Sequence, residues 1–164
     1  MAPTPAIDTQ FIDELTAATC DVFRTMVFRE VEASTPIVGD ALRPGANVVG
    51  TVAFAGQTCG LVVFYSTLDA AHKITASMLG IAPGDVNGEL PDAIGELTNM
   101  IAGSFRTRMA HVRGEAWAIS VPTVTMGSDF YTKYVSDVQR VLCPFRMNDA
   151  ELFVELIVTR SAAQ

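Results

Sequence analysis

The sequence contains few of the residues on which nucleic-acid, metal or membrane binding usually depends. Only two of its eleven basic residues are lysines, and the net charge of −7 opposes contact with phosphate backbones. Its three cysteines form no Cys-x-x-Cys pair and its two histidines are isolated, so we expect reduced core cysteines and no metal site. No apolar run reaches the ~20 residues of a membrane span, and the N-terminus lacks the charged and apolar regions of a signal peptide. These absences predict a cytoplasmic protein that binds neither nucleic acid nor membrane.

What the chain has in abundance is apolar surface, since hydrophobic residues make up 49% of its 164 residues. This length and composition suit a single domain over residues 1–164, with a core large enough to fold without disulfides. The apolar excess has to be buried in that core or between subunits.

Hydrophobic periodicity predicts an α+β domain in which helices are combined with antiparallel hairpins. A long amphipathic helix is expected over about 8–32, followed by a loop rich in Pro, Gly, Asp and Asn. The remaining predicted elements are a β-hairpin over 47–66, helices over 67–80 and 90–114, and strands over 118–127, 137–147 and 150–160.

Two of the predicted strands carry signals about their place in the sheet. In the strand over 118–127 the apolar alternation changes phase at Pro122, which cannot donate a backbone hydrogen bond, so we expect a bulge or an edge there. The last strand is apolar on both faces, and such a strand lies in the centre of a sheet or is covered by a second subunit. This surplus of apolar surface is one reason to expect a homodimer.

The helix that begins with LPDAIGELTNMIAG carries an unusual polar face. At about 100° per residue, its apolar residues form one face and Asp92, Glu96, Asn99, Gly103 and Arg106 form a polar stripe that should face solvent. Asn in a helix interior costs about 0.5 kcal/mol relative to Ala, and Gly costs about 1 kcal/mol. Two such costs on one face suggest that another molecule docks there. An ordinary solvated helix face is the alternative, and periodicity alone leaves both open.

The same segment resembles the signature of the CheC/CheX/FliY chemotaxis phosphatases. That signature consists of an acidic or serine residue followed by Glu, Asn and Pro at fixed spacings, and Asp92, Glu96, Asn99 and Pro122 match every spacing. Pro122 has no catalytic group, and we interpret it as shaping the strand beside the helix. The order of the predicted elements also resembles the family fold, an internally duplicated α+β fold in which an antiparallel sheet packs against long helices.

A weak internal repeat indicates which branch of that family the chain resembles. The first helix contains ELTA at residues 14–17, where the later helix contains ELTN at residues 96–99. Coincidence between two amphipathic helices is the alternative explanation. If the repeat is real, only one of its two copies has the asparagine, which resembles the CheX branch with its single site.

The resemblance implies that the substrate is the aspartyl phosphate of a receiver domain of the CheY type. Asn99 is then expected to position the attacking water, and Glu96 is expected to pair with the receiver's lysine near the phosphate. Asp92, Gly103 and Arg106 would contact the receiver, although helix capping explains Asp92 equally well. The chain would need no cofactor of its own, because the Mg²⁺ expected in such a reaction would be carried by the receiver.

Three interpretations of the sequence compete, and we favour the first. It is a phosphatase that acts on a CheY-like response regulator in chemotaxis or a related two-component pathway. The second is a binding module of the same fold that docks on a response regulator or flagellar-switch partner without useful catalysis. The third is an unrelated, dimeric α+β structural protein in which the motif is accidental. The resemblance to CheX also implies a homodimer.

Overall fold

Three α-helices pack on one face of an eight-stranded antiparallel sheet in the part of the chain that the structure describes. The computed structural model describes residues 7–39, 44–128, 133–134 and 137–159. The helices are α1 (Thr9–Val22), α2 (Leu68–Leu79) and α3 (Leu90–Arg113). The strands are β1 (Glu32–Ala33), β2 (Ile37–Val38), β3 (Val48–Gly56), β4 (Gly60–Ser66), β5 (Trp117–Ile119), β6 (Thr123–Met126), β7 (Val138–Met147) and β8 (Ala150–Thr159). The α+β fold expected from the sequence is confirmed.

The sheet is built around two hairpins. Its strand order is β1-β7-β8-β4-β3-β5, with β2 also paired to β7 and β6 also paired to β3. All of these pairings are antiparallel. Helix α1 precedes the β3–β4 hairpin, α3 precedes the β7–β8 hairpin, and the hairpins meet where β4 pairs with β8.

The first helix is shorter than its hydrophobic spacing predicts, so the expected helix over 8–32 is wrong at its C-terminal end. Asp8 caps α1 by accepting a hydrogen bond from the Phe11 amide at 3.2 Å. The helix then passes into a π-helical turn over Phe23–Val27 and ends at Phe28, which adopts a left-handed conformation with φ of 59°. The residues that follow form β1 and β2, where the sequence predicted the end of a helix and a loop. Part of that predicted loop, residues 40–43, lies outside the described residues.

The bulge predicted at Pro122 is present, and it lies at an edge of the sheet. Strands β5 and β6 both pair with β3, so that Ile119 lies opposite Phe54 and Thr123 lies opposite Thr51. Four steps along the β5–β6 segment therefore match three steps along β3, and one extra residue is accommodated between the two pairings.

Strand β8 lies in the centre of the sheet, between β7 and β4, which accounts for its two apolar faces. Val154 and Leu156 belong to the main core under the helices. Phe153 and Ile157 belong to a smaller apolar cluster on the opposite face of the sheet. The first of the two explanations predicted for this strand is therefore sufficient.

That opposite face also holds a buried carboxylate. Glu155, 1% exposed, accepts hydrogen bonds from the Tyr65 hydroxyl at 2.9 Å and from Arg140 Nε at 2.6 Å. Burial, together with the neighbouring carboxylate, raises the pKa of Tyr65 well above its ordinary value. The cluster ties β4, β7 and β8 together across their common face.

Candidate functional site

Helix α3 carries the polar stripe, and its ends follow from its sequence. Pro91 lies in the first turn, where its missing amide hydrogen costs nothing, and Asp92 lies near the positive end of the helix. Gly114 closes the helix with φ of 66°, and its amide donates to the Ala110 carbonyl at 2.9 Å. The helix predicted over 90–114 is confirmed.

The apolar face of α3 is buried, as its periodicity predicts. Phe105 packs against Trp117, with ring centroids 5.3 Å apart, and against Phe54, with centroids 6.4 Å apart. The predicted apolar residues, each no more than 2% exposed, are Leu90, Ile94, Leu97, Ile101 and Phe105. This burial fixes which side of the helix remains available to a partner.

Two close approaches set the position of α3 on the sheet. A Cβ atom placed on Gly50 of β3 would lie only 2.0 Å from Thr98 Oγ1, so glycine is needed there for the helix to rest on the strand. Thr98 is held in turn by a 2.7 Å hydrogen bond to the Ile94 carbonyl. At the sheet edge, a Cβ atom on Gly95 would lie 3.7 Å from Pro122 Cγ. Pro122 therefore packs beside the backbone of α3 at Gly95, the residue that precedes Glu96.

Gly95 is a residue of this region that the sequence analysis missed. Its only signal is a glycine in a helix interior, where it costs about 1 kcal/mol relative to Ala. Its neighbour Pro122 is 27 residues away in the sequence, so the contact could not be recognised without the register of β6.

The structure brings the five residues of the polar stripe onto one side of α3. Asp92 and Glu96 are exposed, whereas Asn99, Gly103 and Arg106 are half-buried, so the stripe is less open than predicted. At about 100° per residue, Asn99 and Arg106 point within about 40° of Gly95, toward the side where β6 packs. Apart from Gly103, which has no side chain, the residues of the stripe make no side-chain hydrogen bond or ion pair with the described part of the protein.

The N-terminal end of the stripe is more acidic than the motif alone indicates. Glu89, the residue that precedes α3, is exposed and accepts a hydrogen bond from the Asn87 amide at 2.8 Å, which lowers the pKa of its carboxyl group. It lies three residues before Asp92 and seven before Glu96, a spacing that puts all three on one side of a helix. Glu89 was not predicted as part of the stripe, although its spacing from Asp92 and Glu96 is a signal that the sequence contains.

The ELTA segment of α1, residues 14–17, has a different environment from the ELTN segment of α3. The Glu14 carboxylate accepts a hydrogen bond from Arg108 Nη1 at 3.2 Å, and Arg108 also pairs with Asp21. Ala17 stands where α3 has Asn99. The α1 copy therefore offers a carboxylate that is already paired, and no amide.

The described residues contain neither a cluster of potential metal ligands nor a helix that could span a membrane. Within residues 7–39, 44–128, 133–134 and 137–159, no group of three or more His, Cys, Asp or Glu residues is placed to hold a metal ion. The helices of these same ranges are all too short or too polar to cross a membrane.

Comparison with known proteins gives a consistent result. A family model described as chemotaxis phosphatase CheX matches residues 48–146, more than half of the chain. The CheY-P phosphatase CheX of Thermotoga maritima is 25% identical over 128 residues, which cover 77% of this chain and 82% of that protein.

Solved structures share the fold. The chemotaxis protein CheX of Desulfovibrio desulfuricans superposes with a TM-score of 0.82 and 26% identity, covering 91% of this chain and 99% of that one. A chain of the CheX–CheY–BeF3–Mg²⁺ complex of Borrelia burgdorferi superposes with a TM-score of 0.77 and 21% identity, covering 94% of this chain and 100% of that one.

Proposed function

Because the chain belongs to the CheX family of chemotaxis phosphatases, we propose that it hydrolyses the aspartyl phosphate of a CheY-like receiver domain. The observation that carries this proposal is the common face of α3, where Glu96 and Asn99 lie one turn apart with Pro122 beside the same helix. The Thermotoga relative is named a CheY-P phosphatase, and the Borrelia structure is a complex with CheY, which supports the same class of partner.

Asn99 is the proposed catalytic residue. An acyl phosphate is already activated, so its hydrolysis needs an aligned water more than a strong base. The Asn99 carbonyl oxygen can accept a hydrogen bond from that water, and its NH2 group can donate to the phosphoryl oxygens. An aspartate at this position would instead bring a negative charge next to the phosphoryl group and repel it.

The remaining residues of the stripe orient the receiver. Glu96, exposed one turn before Asn99, pairs with the receiver's lysine near the phosphate. Asp92, exposed one turn before Glu96, adds a second negative charge at the N-terminal end of the stripe. Gly103 leaves room for the receiver's backbone, since a Cβ atom there would touch nothing within 4 Å. The Mg²⁺ ion needed for the reaction belongs to the receiver.

The experiment that tests this function measures dephosphorylation of a phosphorylated CheY-type receiver. We expect Asn99→Ala to lower kcat about 100-fold, the loss typical of a misplaced reacting group. Glu96→Gln should mainly raise KM. Asn87→Ala is the matched control, since it removes an equally polar, exposed side chain outside α3 and should leave both constants unchanged.

Two results would separate the phosphatase from the non-catalytic binding module. If the wild-type protein leaves the receiver to hydrolyse at its spontaneous rate, the catalytic proposal is wrong. If that same protein still binds the receiver, and Glu96→Gln weakens the binding, the docking module is the correct function.

We also propose a homodimer. Its support comes from the sheet edges, where Val38 in β2 and Val121 between β5 and β6 are 75% and 80% exposed. Exposed apolar residues at a strand edge favour pairing with another chain. Light scattering at micromolar concentration should give twice the mass of the chain, and a monomeric mass would contradict the proposal.

A further inference from the structure

The arginines of α3 differ in what they contact. Arg108 pairs with Glu14 and Arg113 pairs with Asp8. Arg106 is half-buried, yet it makes no hydrogen bond or ion pair with any residue that the structure describes. Its guanidinium donors are therefore available to bind a carboxylate of another molecule.

Arg106 lies on the same line of the helix surface as Asn99. The two residues are seven positions apart, which corresponds to about 10 Å along the axis and about 20° around it. Gly103 lies between them, and the space where its Cβ would be is open. Arg106 is attached to the helix two turns beyond Asn99, outside the turn that carries Glu96 and Asn99. It faces a different part of whatever molecule Asn99 approaches.

We propose that Arg106 binds a carboxylate on the surface of the receiver, outside the pocket that Asn99 enters, and that this contact selects among receivers. The inference rests on the proposed function, since it identifies the partner as a receiver domain. Asp92 and Glu96 make one end of the stripe negative, and Arg106 makes the other end positive. A receiver that offers a lysine to the first end and a carboxylate to the second fits in one direction along α3 only. A receiver without the carboxylate leaves the guanidinium unpaired and binds less well.

The test compares Arg106→Gln with Arg146→Gln in steady-state dephosphorylation of one CheY-type receiver, over a series of salt concentrations. Arg146 is the matched control because it is an exposed arginine of β7, away from α3, with no ion pair to a described residue. Arg106→Gln should raise KM about tenfold, leave kcat within about twofold, and flatten the rise of KM with salt. Arg106→Lys should fall between wild type and Arg106→Gln, because lysine keeps the charge but loses the planar fork. Arg146→Gln should behave as wild type.

Equal effects of Arg106→Gln and Arg146→Gln would overturn the proposal, and so would a loss confined to kcat. Binding measurements with the receiver carrying BeF3− and Mg²⁺ separate this proposal from the proposed hydrolysis. If the wild-type protein does not hydrolyse the phosphate but Arg106→Gln weakens this binding, the Arg106 contact stands and the phosphatase function fails. If the wild-type protein hydrolyses the phosphate but Arg106→Gln binds as tightly as wild type, the phosphatase function stands and the Arg106 contact fails.

Discussion

Replacing Gly103 by alanine distinguishes a docking surface from an ordinary solvated helix face. Gly103 lies in the middle of α3, on the polar stripe, and an added Cβ would meet no atom within 4 Å. The substitution therefore introduces no clash within the described protein. It changes only the helix propensity of the position and the room that is left for a partner.

These two changes have opposite expected effects. Alanine is better than glycine in a helix interior by about 1 kcal/mol, so Gly103→Ala should raise the free energy of unfolding by that amount and the melting temperature by about 2–4 °C. A methyl group in a close backbone contact with the receiver costs about 1–3 kcal/mol, which corresponds to about 5- to 150-fold in KM. The variant should therefore be more stable and a poorer phosphatase.

Urea unfolding can be followed by the fluorescence of Trp117, the single tryptophan of the chain, which is 6% exposed. Dephosphorylation of the receiver gives KM. Gly84→Ala is the control, because an added Cβ there would also meet no atom within 4 Å but the residue is exposed and lies outside α3, and its KM should stay near the wild-type value. If Gly103→Ala gains stability while its KM equals that of wild type, the receiver does not approach this part of α3 closely, and the reasoning is refuted.

Two substitutions in the core test how α3 is held and how burial affects titration. Gly50→Ala should lower the free energy of unfolding by about 2–4 kcal/mol, because the new Cβ would lie 2.0 Å from Thr98 Oγ1. Adding Thr98→Ala should recover at least half of this loss. If the losses of the two substitutions are additive in urea unfolding, the contact is contradicted. Burial raises the pKa of the Cys143 thiol from 9.0 to about 12, so the stability contributed by the neutral thiol is complete below pH 9 and is lost as the pH rises toward 12. The free energy of unfolding should fall by about 2–3 kcal/mol from this source between pH 8 and about pH 11, and an equally steep fall in Cys143→Ala would count against it.

Much of the fold could be predicted because local signals and periodicity agree. Helix α2 begins after Thr67, whose hydroxyl accepts from the Ala70 amide, and ends at Gly80 with φ of 68°, as its capping residues indicate. The end of α1 could not be predicted in this way. Phe28 adopts the left-handed conformation that glycine or asparagine usually takes, and nothing in its own chemistry signals the stop. At this stop the Arg29 amide donates to the Phe23 carbonyl at 3.2 Å, a backbone contact that the sequence does not signal.

The candidate site likewise has features that the sequence predicts and features that depend on tertiary packing. The polar stripe follows from rotation around one helix, so its membership could be read from spacing alone. The contacts that position the helix could not, because Gly50 and Thr98 are 48 residues apart and meet only when α3 lies on β3. The degree of burial of Asn99 and Arg106 also depends on this placement. Local periodicity thus identified the residues of the polar stripe, and tertiary packing determines how open each of them is.

The ELTA segment of α1 and the ELTN segment of α3 differ in more than the asparagine. Glu14 occupies the position that Glu96 has in α3, but its carboxylate is held by Arg108 and its side chain is 21% exposed. A receiver's lysine would have to compete with that arginine for Glu14, whereas Glu96 has no partner among the described residues. Supplying an amide through Ala17→Asn would therefore restore only half of the arrangement. A second site would also require Glu14 to be released from Arg108, which would remove one of the contacts that hold α3 against α1. One of the contacts between α3 and α1 is thus also the contact that occupies Glu14.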